Sequence, residues 1–461
     1  RRSALKGYAL FDSAILGLIL VPVVLLVLLI SLRFYQIKFK PHPESVRKMM
    51  HSMMGLLTLS FPWLFNETWP VWVLAGSSML LLFSLRTLPA LKAGVSNVLN
   101  AVERNTLGEI YFPLAVATVF QFSNGVLVLY LIPVMVLSFA DAMAAVVGLR
   151  YGHIRYQTCD GQKSLEGSVA FLLVTTLCVH VPLLLLTDLG RGDTLLIALL
   201  LGILIMLFEA IAWRGLDNLF IPLATFFLLQ EFMVIAQMNN GTQQLSIQLA
   251  VVASLSLIVP LLKKRTTLDG GAVLAVVLVL YMVWSLQPVN WLFAPVSYLI
   301  CYSLLAKRAR QSGNEIHSVF SVLSVSAPGF TWIFIYKLYP NEVYFYAFVL
   351  SYAVQLGMTG IARLMEEHYR ERTGLNRTSV LAWAVLQGWS LIAVPVLLIS
   401  QANGPGLLLN VLLALIAVFV AVLTFFKWQP DLDNCPVDIF RWYRQGTIAM
   451  VVSGLYVVIF I

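Results

Sequence analysis

TLLIALLLGILIMLFEAIAWRGLDNLFIPLATFFLLQEFMVI, residues 194–235, holds two apolar runs, 194–212 and 217–235, parted by a short turn that carries Arg214. Each run has about the 17–25 residues that a helix needs to cross the hydrocarbon core of a bilayer. The few acids sit at marked places: Glu209 near the end of the first run, Asp217 at the start of the second, and Glu231 further along. Runs of this kind recur along the whole chain, so they are not one signal peptide followed by a soluble body.

Composition agrees. Of 461 residues, 60% are hydrophobic and 11% charged, against roughly 25% charged in soluble proteins. The reading is an all-α polytopic transmembrane bundle of about sixteen segments: 9–32, 49–66, 70–85, 107–121, 124–148, 166–186, 194–212, 217–235, 245–262, 270–286, 289–305, 317–337, 343–362, 379–400, 405–427 and 443–461. The segments 107–121 and 270–286 are short, as re-entrant or broken helices are. The chain starts at Arg1, so the native start is expected upstream.

The net charge of +8 reads as topology rather than nucleic-acid binding. Of the 30 basic residues, 25 fall in alternate loops, while the intervening loops are short and nearly free of Lys and Arg. By the positive-inside rule the basic loops face the cytoplasm, with both termini on the other side. Cys159, Cys178, Cys301 and Cys435 lie too far apart for a zinc site or a disulfide framework.

The acids divide the chain. Asp12, Glu109, Asp141, Glu166, Glu209, Asp217 and Glu231 lie in or at the ends of segments before residue 245, and no later segment contains one. Ionisable groups in the membrane are costly and mark function. The expected organisation is therefore a working domain, 1–244, and a second, non-catalytic membrane domain, 245–461. Glu109, Asp141, Glu166, Glu209 and Asp217, from five segments, fall near one depth beside Arg104, Arg150, Arg155, Lys163 and Arg214. Carboxylates with bases suit a magnesium-bound nucleoside triphosphate.

The segment SFADAMAAVVGLRYGHIRYQTCDGQKSLEGSVA, residues 138–170, concentrates these features. Small residues around Asp141 let neighbouring helices approach closely. In the following polar loop, Gly161, Lys163 and Ser164 offer backbone amides and an ammonium to phosphates ahead of a helix start. The P-loop pattern is absent.

Five blocks, Arg47–His51 (RKMMH), Thr106–Pro113 (TLGEIYFP), Ala140–Gly152, Lys163–Ser168 (KSLEGS) and Glu209–Pro222 (EAIAWRGLDNLFIP), resemble in order and spacing those of the dolichol kinase/phytol kinase family. The resemblance implies an enzyme that transfers a phosphoryl group from a nucleotide, CTP or alternatively ATP, to a membrane lipid alcohol such as dolichol, another polyprenol or phytol. It matches Asp141 to the family's helix aspartate, Lys163 and Glu166 to its KxxEG loop, and Glu209, Asp217 and Asn218 to its last block. The roles that follow are catalytic for Asp141 (base or magnesium ligand), Lys163 and Glu166. Arg104, Arg150, Lys163, Ser164, Gly167 and Asn218 would hold nucleotide, and Asp141, Glu209 and Asp217 a Mg²⁺ ion. His51 lies within reach of the site. Expected partners are the lipid alcohol, the nucleotide and the bilayer, not nucleic acid, with homo- or hetero-oligomers left open. The membrane is a bacterial inner membrane or an organelle membrane such as that of the ER or a plastid. The rivals are a lipid cytidylyltransferase and a non-catalytic transporter or assembly subunit.

Residues 265–461 resemble more weakly the phytyl-phosphate kinase/transmembrane-protein-19 family, through Thr267–Ala275, Cys301–Arg310 and Asp433–Ser453. Where that family has a helix aspartate, this chain reads Gly357-Met358-Thr359.

The loop alternation makes a direct prediction. Single cysteines at Gln162 and Gln243, in a Cys-free background, are labelled from opposite faces of the membrane by an impermeant maleimide. Labelling from one face would contradict the sixteen-span topology.

Overall fold

The computed structural model describes residues 14–41, 43–87, 108–159, 161–261, 263, 266–309, 317–371, 376–399, 406–430 and 439–460. The helices are α1 (Ala14–Phe39), α2 (Pro43–Leu59), α3 (Phe61–Leu64), α4 (Trp69–Thr87), α5 (Gly108–Ser123), α6 (Leu127–Tyr151), α7 (Leu165–Leu186), α8 (Arg191–Ile211) and α9 (Asp217–Ala236). There follow α10 (Gly241–Leu261), α11 (Gly270–Leu286), α12 (Phe293–Ala309), α13 (Val319–Leu338), α14 (Glu342–Glu371), α15 (Arg377–Ile399), α16 (Gly406–Trp428) and α17 (Ile439–Phe460). Each expected segment coincides with one of these helices or with a helix pair. Among the described residues, 11 helices are long and apolar enough to cross a membrane, and α11 is a shorter apolar helix. The chain is an integral, multi-pass helical membrane protein.

One departure from an all-helical chain lies where a loop was expected. Among the described residues β1 (Arg155–Thr158) pairs antiparallel with β2 (Gly161–Ser164), with Tyr156 opposite Lys163. Gly161 turns the chain at φ +122°, a conformation that costs a residue with a side chain far more than glycine.

The helices pack as two compact units, Arg1–Ala253 and Ser254–Ile461, and the division falls inside α10. In the first, α7 and α8 are packed neighbours. Gly202 lets them close up, since a Cβ there would stand 2.7 Å from the Thr176 hydroxyl. In the second, α14 is the central helix: 89% of its most apolar window is buried, against 17% for α1. Around it pack α12, α13, α15, α16 and α17. Most of this core is aliphatic and aromatic, including Phe348, Tyr352, Leu356 and Met358. Two of its buried polar contacts are internal: Trp332 donates to Ser453 (2.9 Å) and Tyr456 to Asn410 (2.7 Å). Small residues govern the α14–α15 approach. A Cβ on Gly388 would lie 2.4 Å from the Ala353 carbonyl and 3.0 Å from the Gly357 amide.

Gly388→Leu is expected to destabilise the protein by roughly 1–3 kcal/mol, the cost of overpacking a rigid contact. Gly76→Leu, where an added Cβ meets nothing within 4 Å, is expected to be neutral. Thermal unfolding in detergent distinguishes them, and equal melting temperatures would contradict the packing at Gly388.

Candidate functional site

The turn after α7 reverses the chain, so α8 returns its C-terminal end to the level at which α7 begins. Glu209 on α8 and Lys163 on β2 thereby meet although 46 residues apart: the Lys163 ammonium donates to the Glu209 carboxylate at 2.6 Å and to its carbonyl at 2.5 Å. The face of β2 that carries Lys163 also carries Tyr156 across the hairpin, and the Tyr156 hydroxyl lies 2.7 Å from that of Ser168 on α7. Burial alone would lower the Lys163 pKa, but the adjacent Glu209 carboxylate outweighs it and the net direction is upward. The lysine stays charged.

A second pair lies on α2 and α6. The Lys48 ammonium donates to the Asp141 carboxylate at 2.5 Å, with the two side chains 11% and 9% exposed. The geometry at Asp141 has a local origin. Pro133 lacks the amide hydrogen that a helix interior uses, and one turn later residues 136–140 form a π-turn that ends at Asp141. Such turns are rare and cluster at functional positions. Helix α2 is drawn onto it closely: Ser52 donates to the Ser138 carbonyl at 3.0 Å, and at Gly55 any Cβ would collide with the Ser138 hydroxyl. His51, three residues after Lys48, is buried, packs edge-on against Phe112 and has no partner for Nε2.

The remaining expected residues serve the frame. Glu166 accepts the backbone amides of His153 (3.0 Å) and Ile154 (3.1 Å), which ties the foot of the hairpin to α7. Ser164 caps α7 by accepting from the Gly167 amide at 3.1 Å. Gly167 lies against α6, where a Cβ would approach the Ala144 carbonyl to 2.9 Å. Asn218 donates to the Gly108 carbonyl at 2.8 Å, so the starts of α5 and α9 are joined. Between α8 and α9 the chain turns through left-handed Arg214 (φ 53°) and Gly215 (φ 83°). Arg150 is exposed, its guanidinium over the Tyr151 ring. Arg104 lies outside the described residues.

The structure therefore brings Asp141 and Glu209 each to a lysine, and Asp217 to the same end of the unit. The charge of Asp217 acts on both His51 and Lys163, and that of Asp141 on His51, so the two pairs share one electrostatic neighbourhood. Among the described residues no three His, Cys, Asp or Glu side chains form a close group, and Asp141 and Glu209, expected as magnesium ligands with Asp217, each face an ammonium.

Sequence reasoning missed Lys48, which it counted with the topological basic residues. The signal was its spacing from His51, since positions three apart share a helix face. It also missed Tyr156, which becomes informative only once the hairpin sets it opposite Lys163.

Lys48→Ala leaves a buried carboxylate without its counter-charge and is expected to destabilise the fold by roughly 3–5 kcal/mol. The double variant Lys48→Met/Asp141→Leu, which removes both charges, is expected to recover most of that loss. A double variant as unstable as the single one in thermal unfolding would mean that the pair is not an independent buried unit.

No family model matches the chain, and no solved structure matches it. Among curated proteins, "Phytol kinase" of Synechocystis sp. is 29% identical over 190 residues, which cover 40% of this chain and 76% of the relative. None of these comparisons supports the weaker resemblance noted for residues 265–461. With five ordered sequence blocks and this similarity, the chain is related, over the matched residues, to the dolichol kinase/phytol kinase family.

Proposed function

We propose that the chain is a lipid-alcohol kinase whose N-terminal unit transfers a phosphoryl group from a nucleoside triphosphate, CTP in the first place, to the hydroxyl of a membrane lipid alcohol such as phytol, dolichol or another polyprenol. The observation that carries this reading is the two lysine–carboxylate contacts, the buried Lys48–Asp141 and the part-buried Lys163–Glu209, at one end of the unit. The kinship to a protein named phytol kinase supports the substrate class.

In this reading the two pairs are the resting state. A lysine held by a carboxylate is charged, desolvated and ready to exchange that partner for a phosphate oxygen. Triphosphate binding draws Lys163, and with it Lys48, towards the anionic oxygens, where they offset the charge of phosphoryl transfer. Asp141, released from Lys48, accepts the proton of the lipid hydroxyl. The hydroxyl oxygen forms its bond to the terminal phosphorus, the bond from that phosphorus to the bridging oxygen breaks, and the nucleoside diphosphate leaves. Small residues beside Asp141 leave room for a slender lipid to come alongside from the bilayer. Glu209 and Asp217, with Asp141, would hold a magnesium ion, which would add its charge to that of the lysines. The basic loops at this end support a reaction at the cytoplasmic face.

Product analysis with CTP labelled at the γ-phosphate tests the proposal. Purified protein is expected to yield labelled lipid phosphate, and Asp141→Asn to yield none while eluting as wild type, because Asn keeps the volume and an acceptor for Lys48 but not a base. A CDP-lipid from CTP labelled at the α-phosphate would reassign the chain to cytidylyl transfer. Wild-type turnover by Asp141→Asn would remove Asp141 from the mechanism.

A further inference from the structure

The C-terminal unit has no carboxylate within its described spans that compares with Asp141, yet it encloses a cavity of about 60 Å³ between α11, α12 and α13. Its walls are apolar, with Val276, Val279, Leu280 and Val325 among them, and no lining residue is Asp, Glu, Lys or Arg. One end differs. There His317 and Tyr302 line the cavity, and His317 Nδ1 lies 2.7 Å from both the Tyr302 hydroxyl and the Thr267 hydroxyl, which also bond to each other. The backbone fixes this group in place: the His317 amide donates to the Thr267 carbonyl at 2.8 Å, and the Asp269 amide to the His317 carbonyl at 2.9 Å. The other ring nitrogen, Nε2, is buried without a partner on a residue that is 4% exposed.

A buried polar atom without a partner is destabilising by about 1–3 kcal/mol, so this one, on a residue that lines the cavity, calls for a ligand that can bond to it. In either tautomer an imidazole nitrogen is satisfied by a hydroxyl, which both donates and accepts. The absence of charged lining disfavours a phosphate or carboxylate. Taking about 10–15 Å³ of such volume per water-sized group, the cavity has room for a hydroxyl and the first three to five carbons behind it. A mainly apolar wall that also carries the neutral hydrogen-bonding side chains of Tyr298, Tyr302, His317, Ser321, Ser326 and Tyr352, inside a membrane unit, matches the head of a lipid alcohol with a slender chain.

We propose that the C-terminal unit binds the hydroxyl end of a membrane lipid alcohol in this cavity, with the hydroxyl on His317 and the adjoining carbons against Val276, Val279 and Val325. This site is separate from the one around Asp141, and the proposal does not rest on the kinase reading. Among the described residues no carboxylate lines it.

The test uses the full chain in lipid nanodiscs without nucleotide. A short prenyl alcohol carrying a diazirine near its hydroxyl is photolysed and the label mapped by peptide mass spectrometry. Label is expected on α11 and α13, displaced by unlabelled prenyl alcohol and not by the hydrocarbon of equal length. Val279→Trp and Ser326→Leu, which fill the cavity from two different helices, are each expected to abolish it. His317→Ala is expected to weaken displacement by about tenfold, the loss of one hydrogen bond. Equal labelling by alcohol and hydrocarbon analogues, or label on these helices that survives both filling variants, would overturn the proposal, as would a cavity that takes up only water and gives no displaceable label. Because the readout is a position and needs no turnover, it is unaffected by whether the N-terminal unit phosphorylates anything.

Discussion

Lys48 and Asp141 stand 2.5 Å apart inside a bundle of apolar helices, and the organisation of the N-terminal unit follows from keeping such charges together. A bilayer solvates neither group, so each must find the other or a polar backbone. Meeting that demand at Asp141 pulls α2 onto the π-turn of α6. Meeting it at Glu209 pulls the β-hairpin over the C-terminal end of α8. The two demands converge because α7 and α8 return the chain to its starting level. A pair of buried ion pairs is poor evidence of extra stability, since apolar residues of like size often serve as well. Under the proposed function, each lysine is held in a place from which a triphosphate could draw it.

The hairpin illustrates how small elements serve this arrangement. Its two strands contribute little core, yet they decide the direction in which Lys163 points. Glu166 and Ser164 hold the hairpin to the first turn of α7 through backbone amides. Changing either would act on Lys163 at one remove. Asn218 plays the corresponding part at the starts of α5 and α9.

The two units handle polar groups in opposite ways. The first concentrates opposite charges. The second, around α14, pairs neutral side chains such as Trp332 with Ser453 and Tyr456 with Asn410, and leaves the buried Nε2 of His317, a residue lining a small cavity, without a partner. Gly357-Met358-Thr359 shows the contrast within one turn. Gly357 is packed against Val418 and Val422, Met358 is wholly buried, and the Thr359 hydroxyl lies 3.3 Å from that of Tyr298. There a carboxylate would meet no counter-charge among the contacts described.

Much of the architecture was legible in the residues themselves. A helix crossing a bilayer must be apolar along its whole length, so the spans, their order and the basic loops between them are written locally, and each expected segment meets a helix. The kinship was legible too, because motif blocks keep their order whatever the tertiary packing. The partnerships were not. Asp141 stood out as an acid among small residues, but nothing in its neighbourhood names Lys48, 93 residues away, and Lys48 looked like any other loop cation. Glu166 matched a catalytic motif, yet its carboxylate is bound to the hairpin's backbone. The three carboxylates expected to share a metal lie at one end of the unit without forming one group, because a shared depth along the membrane normal says nothing of position within the plane. That second coordinate comes only from helix packing, and it decides which charges touch.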